Sequence, residues 1–286
     1  MDFRRIEIEP ITGALGAEIH GADLANLDDE TFAEIKNAWL KHCVIFFRDQ
    51  KISPKQQIHF ARRFGEIHFH PYMKGLDEYP EILEIVKEPD DGYTFGAVWH
   101  TDQMFNPAPA MATMLYAKEV PTKGGDTVFS NQYLALEALS APMKAMISEV
   151  RTFNVGDGFR RGIGKANRVD RYAKNPAMKA KIRTPPSNQP TEAVHPLVRT
   201  HPETGRKSLY IGSHTQSLDG FAKSEADVLI EFLRNHSASL EFTCRFRWTV
   251  DSLAFWDNRC VQHQALTDYN ERRRMHRITI AGDTPF

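Results

Sequence analysis

The sequence ERRRMHRITI, residues 271–280, alternates its side chains in the way that is typical of a β-strand. Successive side chains of a strand point to opposite faces, so Arg273, Met275, Arg277 and Thr279 share one face. That face carries two guanidiniums where a core should be apolar, and burying them without partners would be costly. Because carboxylates or anionic ligands must pair with them, the pattern indicates a pocket that receives two anions.

Short apolar runs separated by turn residues make up much of the remaining chain. They include residues 6–10, 16–19, 43–47, 82–86, 111–116 and 208–211. Helical spacing of apolar residues predicts helices near 28–42, 53–64, 132–139, 141–150 and 224–234, the last with a capping pair of Ser224 and Asp227. Many short strands with a few flanking helices indicate a mainly β fold of the closed or double-layer kind.

The overall charge excludes several classes of partner. The 286 residues contain 36 Lys and Arg against 37 Asp and Glu, a formal net charge of -1, so no global field draws the chain to nucleic acid or to an anionic membrane. Three cysteines, without paired spacing, offer neither a disulfide framework nor a zinc element. With no signal peptide and no apolar run of membrane-spanning length, we expect a cytoplasmic protein with a single domain over residues 1–286.

A basic segment interrupts the second half of the chain at about residues 155–190. Between Phe159 and Pro190 it contains nine Lys and Arg residues, few apolar residues and a closing Pro185-Pro186 pair. It is either a solvated surface loop or a lid over the site, since long loops in compact domains are often functional.

Two strings contain residues that could bind a metal. In VWHTD, residues 98–102, an extended chain would point His100 and Asp102 to one side, where they could hold one ion. Imidazole with a single carboxylate suits a borderline divalent metal better than calcium or magnesium. Alone, such a pair is more often an ordinary polar contact. His263 ends the aromatic and apolar run of residues 255–263, where a satisfied core histidine is the alternative.

The order of these candidate residues along the chain resembles the pattern of the taurine dioxygenase and 2,4-dichlorophenoxyacetate dioxygenase family: His100-x-Asp102, then His263, Arg273 and Arg277. The resemblance covers nearly the whole chain and includes ITGALGAE at 11–18, RFG at 63–65, GGDT at 124–127 and AGD at 281–283. It implies a cupin-like jelly roll (a double-stranded β-helix) with flanking helices. It also implies an Fe(II)-dependent dioxygenase that uses 2-oxoglutarate and O2 and releases succinate and CO2.

The resemblance assigns roles to five residues around the iron and its co-substrate. His100, Asp102 and His263 would be the metal ligands and thereby the catalytic residues, leaving open positions on the iron. The distal carboxylate of 2-oxoglutarate would pair with Arg273, and Thr127 would add a hydroxyl hydrogen bond.

Arg272 is the alternative anchor for 2-oxoglutarate, and Arg273 is preferred because it keeps a four-residue offset to Arg277. Arg277 matches the arginine that holds the anionic head of the primary substrate. The other substrate contacts that we expect are His70, Gln103 and His214. Gly96, Gln103 and the sequence GSHT at 212–215 replace residues of the taurine enzymes, so the resemblance does not extend to taurine as the substrate.

We therefore expect hydroxylation of a small organic anion, such as a sulfonate, a sulfate ester or an aryloxyalkanoate. One alternative is the same chemistry on an amino-acid-like or acyl substrate in a biosynthetic pathway. Another is a jelly-roll binding protein without catalysis. The presence of all three expected metal ligands and of both arginines argues against this alternative. A homo-oligomer, dimer or tetramer, is expected from the resemblance alone.

Overall fold

The structure, a computed structural model, describes residues 3–92, 94–156, 158–160, 164–166, 170 and 172–286. Its strands are β1 Glu7–Pro10, β2 Ala17–His20, β3 Val44–Phe47, β4 Leu83–Lys87, β5 Ala112–Glu119, β6 Thr127–Asn131, β7 Arg151–Val155, β8 Gly158–Arg160, β9 Gly164–Ala166, β10 Glu192–Pro196, β11 Val198–Thr200, β12 Lys207–Leu209, β13 Thr215–Leu218, β14 Thr243–Phe246, β15 Leu253–Asp257, β16 Val261–Ala265 and β17 Arg273–Ile280. Its helices are α1 Asp29–His42, α2 Pro54–Arg62, α3 Gln132–Glu137, α4 Ala141–Ile147, α5 Pro176–Lys179 and α6 Lys223–Ser237, with a 3-10 turn at Leu240–Phe242.

A seven-stranded sheet in the order β1-β2-β3-β15-β5-β17-β4 forms one wall of the molecule. Helices α1 and α2 cover its outer face, where Trp39, Phe60 and Ile278 belong to one buried apolar cluster. The predicted starts of both helices are confirmed: the Asp28 carboxylate accepts from the Thr31 amide at 2.7 Å, and Ser53 caps α2.

A second sheet, β14-β6-β16, faces the inner side of the first. Apolar side chains from both sheets fill the space between them. Phe46 of β3 stacks on Phe246 of β14 with ring centroids 4.0 Å apart, and Phe129 of β6 lies 5.5 Å from Trp256 of β15. The predicted mainly β fold with flanking helices is confirmed, because two facing sheets bury a common core.

Strand β17 has the alternation that its sequence predicts. Met275 belongs to the core between the sheets, whereas Ile278 and Ile280 belong to the cluster under α1 and α2. Arg273 and Arg277 therefore share the inner face with Met275, and both are buried. This inner face carries the two arginines that line the candidate site.

Two local predictions are wrong. His100 forms only an isolated antiparallel bridge and Asp102 lies in a turn, so the pair is not part of a strand. The cap of α6 is Ala222 rather than Ser224: the Glu225 carboxylate accepts from the Ala222 amide at 2.9 Å. Asp227 instead pairs with Lys223 at 2.7 Å.

The predicted lid at 155–190 falls partly outside the described residues, at 157, 161–163, 167–169 and 171. In its described remainder, Met73 bridges Ile182, and the Arg183 amide donates to the Tyr72 carbonyl at 3.0 Å. The lid and the single domain stay predictions. None of the described helices combines the length and apolar character needed to cross a bilayer.

Candidate active site

His100, Asp102 and His263 converge beside the inner faces of the two sheets. The Nε2 atom of His100 lies 3.6 Å from Oδ1 of Asp102, and Nε2 of His263 lies 4.0 Å from Oδ2. One donor atom from each residue can be chosen such that all three lie within 4.8 Å of one another, as one ion requires. The backbones of the two histidines pair, with N to O distances of 3.1 and 2.9 Å, and this pairing brings the rings to 4.2 Å between centroids.

Hydrogen bonds orient two of the three donor groups. Because a carbonyl can only accept, His100 Nδ1 carries the proton that it shares with the Val98 carbonyl at 2.7 Å, and Nε2 keeps its lone pair. Thr113 of β5 donates to Asp102 Oδ2 at 2.5 Å and accepts from Asn258 Nδ2 at 3.0 Å. Two nitrogens and one carboxylate with open space beside them are the donor set of non-haem Fe(II) oxygenases, so these residues fit the implied iron.

Sequence reasoning missed Thr113 and Asn258. Asn258 stands inside the quoted run of residues 255–263, but nothing local indicates that its amide reaches across to β5. The contact exists because β5 and β15 are neighbours in the large sheet.

Charge and burial favour the deprotonated form of both Asp102 and His263. Burial alone would raise the pKa of Asp102, but the Arg277 guanidinium and the two neighbouring histidines hold it well below its usual range. Burial, together with the adjacent His100, lowers the pKa of His263 well below its usual value. A charged carboxylate beside a neutral imidazole is the state in which such groups bind a metal.

A narrow inner pocket joins the three residues to Arg273 and Thr127. Arg273 is buried, and its Nε and Nη2 atoms have no hydrogen-bond partner in the described part of the chain. The Thr127 hydroxyl oxygen accepts from Trp248 Nε1 at 3.0 Å, which leaves its proton for another acceptor. Burial lowers the pKa of Arg273, and an anion bound in the pocket would relieve this penalty.

Arg272 faces the other way. Its guanidinium pairs with Glu88 at 3.0 Å and with Glu119 at 2.5 Å, and the side chain is nearly half exposed. Of the two alternative anchors, Arg273 is the one that reaches the inner pocket. Arg272 immediately precedes β17, and successive residues of an extended chain point to opposite faces.

A larger outer cavity of about 770 Å³ opens beyond the three donor residues. Arg277 lines this cavity and lies 2.9 Å from Asp102 Oδ1, but Nη2 lacks hydrogen-bond geometry. The contact is therefore one of charge, and the Nη2 donor remains available to a second anion.

The three further residues predicted to contact substrate all line the outer cavity. His70 Nδ1 accepts from the Tyr72 amide at 3.2 Å, so this imidazole also caps backbone. Gln103 accepts from Asn106 at 2.9 Å, and His214 Nδ1 lies 3.0 Å from the Val155 carbonyl. Gly96 also lines the cavity, as do Tyr172 and Lys174 of the basic segment. Further lining residues that the sequence did not indicate include Lys87, Phe95, Phe105 and Tyr269.

The chain is similar to known dioxygenases over nearly its whole length. A family model described as "Taurine catabolism dioxygenase TauD, TfdA family" matches residues 7–279. The chain is 32% identical over 288 residues to an alpha-ketoglutarate-dependent sulfate ester dioxygenase of Pseudomonas putida, with 98% of this chain and 91% of that protein covered. It is 31% identical over 281 residues to an (S)-phenoxypropionate/alpha-ketoglutarate-dioxygenase of Sphingobium herbicidovorans, with 97% and 95% covered.

Solved structures show the same likeness. A taurine dioxygenase from Burkholderia xenovorans matches with a TM-score of 0.81 at 34% identity, covering 99% of this chain and 91% of that chain. The structure of AAD-2 in complex with Mn(II) and N-oxalylglycine matches with a TM-score of 0.76 at 27% identity, covering 98% of both chains. The predicted jelly roll is confirmed by these matches.

Proposed function

The chain belongs to the TauD/TfdA family, whose model matches residues 7–279, and from this premise we propose that it hydroxylates a small organic anion. As a member of that family it is an Fe(II)- and 2-oxoglutarate-dependent dioxygenase. Bound Fe(II) supplies the activation of dioxygen, in which 2-oxoglutarate is converted to succinate and carbon dioxide. The remaining roles belong to side chains of this protein.

The single observation that carries the proposal is the convergence of three metal donors with two buried guanidiniums. His100, Asp102 and His263 would hold the iron. The guanidinium of Arg273, two of whose donors lack a partner, and the free proton of Thr127 fit the distal carboxylate of 2-oxoglutarate. A binding protein without catalysis would need no open metal face beside a dedicated carboxylate pocket.

Arg277 is the residue that we assign to the anionic head of the primary substrate. It lines both the inner pocket and the outer cavity, so a head group held there would present the adjoining carbon to the donor cluster. His70, Gln103 and His214 would border the same head group from the cavity wall.

The outer cavity supports an anion with a sizeable organic group. Phe95 and Phe105 supply apolar walls, and Gly96 adds no side chain between them and His100. The relatives of this chain include enzymes named for sulfate esters, for phenoxypropionate and for 2,4-dichlorophenoxyacetate. We propose that the substrate of this chain is a sulfate ester, a sulfonate or an aryloxyalkanoate. The experiment below compares these three classes.

The proposal is tested first by binding and then by turnover. Addition of 2-oxoglutarate to the anaerobic protein with Fe(II) should give a visible metal-to-ligand charge-transfer band, which Asp102→Ala should lack while remaining folded. A panel of alkyl sulfates, sulfonates and aryloxy acids, with amino acids and acyl compounds as further arms, is then scored for substrate-dependent succinate release.

A wild-type protein without the charge-transfer band would contradict the proposed iron and 2-oxoglutarate sites. A band without turnover of any anion, but with turnover of an amino acid or acyl compound, would favour the alternative substrate class. Assembly as a dimer or tetramer and a cytoplasmic location stay predictions.

A further inference from the structure

Lys87 is a buried lysine on the wall of the outer cavity, and it has no acidic partner in the part of the chain that the structure describes. Its exposure is 8%, and its ammonium donates to the Glu88 carbonyl at 3.3 Å and lies 4.8 Å from the centre of the Tyr269 ring. Among the described residues no carboxylate forms a salt bridge with it. Because a buried lysine normally has an anion beside it, this ammonium calls for an anion that the cavity would admit.

Lys87 stands far from Arg277 along the same pair of strands. In the β4–β17 register Lys87 faces Arg273, and Leu83 faces Arg277. Four residues at about 3.3 Å each separate the two levels, or about 13 Å along the strand. Arg273 lines the inner pocket, whereas Lys87 lines only the outer cavity. Lys87 and Arg277 therefore line the same outer cavity from two different levels of these strands.

The acidic residues that line the outer cavity near Lys87 in the sequence do not form an ion pair with it. Asp90 and Asp91 also line the cavity, and Asp91 accepts from the Glu88 amide at 2.8 Å, which ties its carboxylate to the local turn. Neither forms a salt bridge with Lys87, and Lys174 adds a further positive charge to the same cavity. The far end of the cavity can accept an acidic group without displacing an internal ion pair.

We propose that the natural substrate is a dianion, with an anionic head at Arg277 and a second acidic group bound by Lys87. The organic body between the two groups would lie along the cavity past Phe95. This inference rests on the proposed function and narrows its substrate class, since a simple alkyl sulfate or phenoxy acid has no group for Lys87.

The test compares probes that differ only in a distal carboxylate. The pairs are alkyl sulfates against ω-carboxyalkyl sulfates of several lengths, and phenoxyacetate against (4-carboxyphenoxy)acetate. Dissociation constants are measured by calorimetry on the anaerobic protein with Fe(II) and 2-oxoglutarate. The wild type should bind the carboxylated member of at least one pair about tenfold or more tighter, as a charge-assisted contact predicts.

Lys87→Met removes the charge but keeps the apolar stem, so it should fold and lose the preference. Lys118→Met is the matched control, because Lys118 also lies over a tyrosine ring, that of Tyr116 at 4.9 Å, but lines none of the cavities described above. It should keep the preference in full. Lys87→Arg should retain most of it.

Three results would overturn the proposal. They are equal binding of both members of every pair, binding of neither member, and a Lys87→Met variant that loses affinity for 2-oxoglutarate while keeping the preference. The last result would mean that Lys87 contributes to the 2-oxoglutarate site instead. Failure of the proposed function looks different, since the preference would then persist in calorimetry without any succinate release.

Discussion

Replacing Arg273 by methionine should weaken binding of 2-oxoglutarate, for which Arg273 is the proposed anchor. The guanidinium is buried, and its Nε and Nη2 donors have no partner among the described residues, so both are available to one carboxylate. Two charge-assisted hydrogen bonds are worth about 1.5–3 kcal/mol each. Since the contributions of one bidentate contact are not fully additive, we expect a loss of about 3 kcal/mol, which is on the order of a hundredfold in affinity for 2-oxoglutarate.

The same change should not harm the free protein. Arg273→Met removes a buried charge without an acidic partner, so the free energy of unfolding without ligands should stay equal or rise. Arg272→Met is the matched control, because that arginine is exposed and pairs with Glu88 and Glu119 at the surface. Surface pairs of this kind contribute about 0–1 kcal/mol, and the control should bind 2-oxoglutarate almost as the wild type does.

The measurement is calorimetric titration of 2-oxoglutarate into anaerobic protein with Fe(II), with thermal unfolding of both variants beside it. Unchanged affinity in Arg273→Met, or the large loss appearing in Arg272→Met instead, would refute the assignment of the inner pocket. A large drop in the unfolding temperature of free Arg273→Met would refute the view that its charge is unpaired.

Three further expectations follow from the site and its surroundings. Thr113→Val removes the 2.5 Å hydrogen bond to Asp102 and should weaken Mn(II) binding about 10–100-fold in calorimetry with the fold intact; unchanged metal affinity would mean that Thr113 does not orient the carboxylate. Arg277→Met should raise KM for the primary substrate on the order of a hundredfold and leave that for 2-oxoglutarate within a few-fold, and the reverse pattern would exchange the two arginines. Burial lowers the pKa of His195 in the folded protein to about 4, below the value of about 6.5 for the unfolded chain. As pH falls from about 6.5 towards 4, the unfolded chain is therefore protonated before the folded protein, and roughly 3 kcal/mol of stability is lost. Urea unfolding across this range should show a flatter dependence in His195→Gln, and equal slopes would contradict the shift.

The sequence by itself determined the inner face of β17 and the identity of the groups that meet there. Alternation along a strand is a property of neighbouring residues, so Arg273 and Arg277 could be assigned to one face before any fold was known. The helix starts at Asp28 and Ser53 were predicted for the same reason, since a cap acts within one turn. The resemblance to a family added the ligand set and the choice of Arg273 over Arg272.

Only the tertiary structure decided how these groups come together. Asp102 reaches His100 from a turn rather than along a strand, and His263 arrives through backbone pairing with a residue far away in the sequence. The support of Asp102 by Thr113 and the burial of Lys87 beside Tyr269 likewise depend on strands that meet only in the folded sheets. The physical reason is range: a local pattern records which way a side chain points, whereas ligation and burial depend on distant segments that long-range backbone pairing brings into contact.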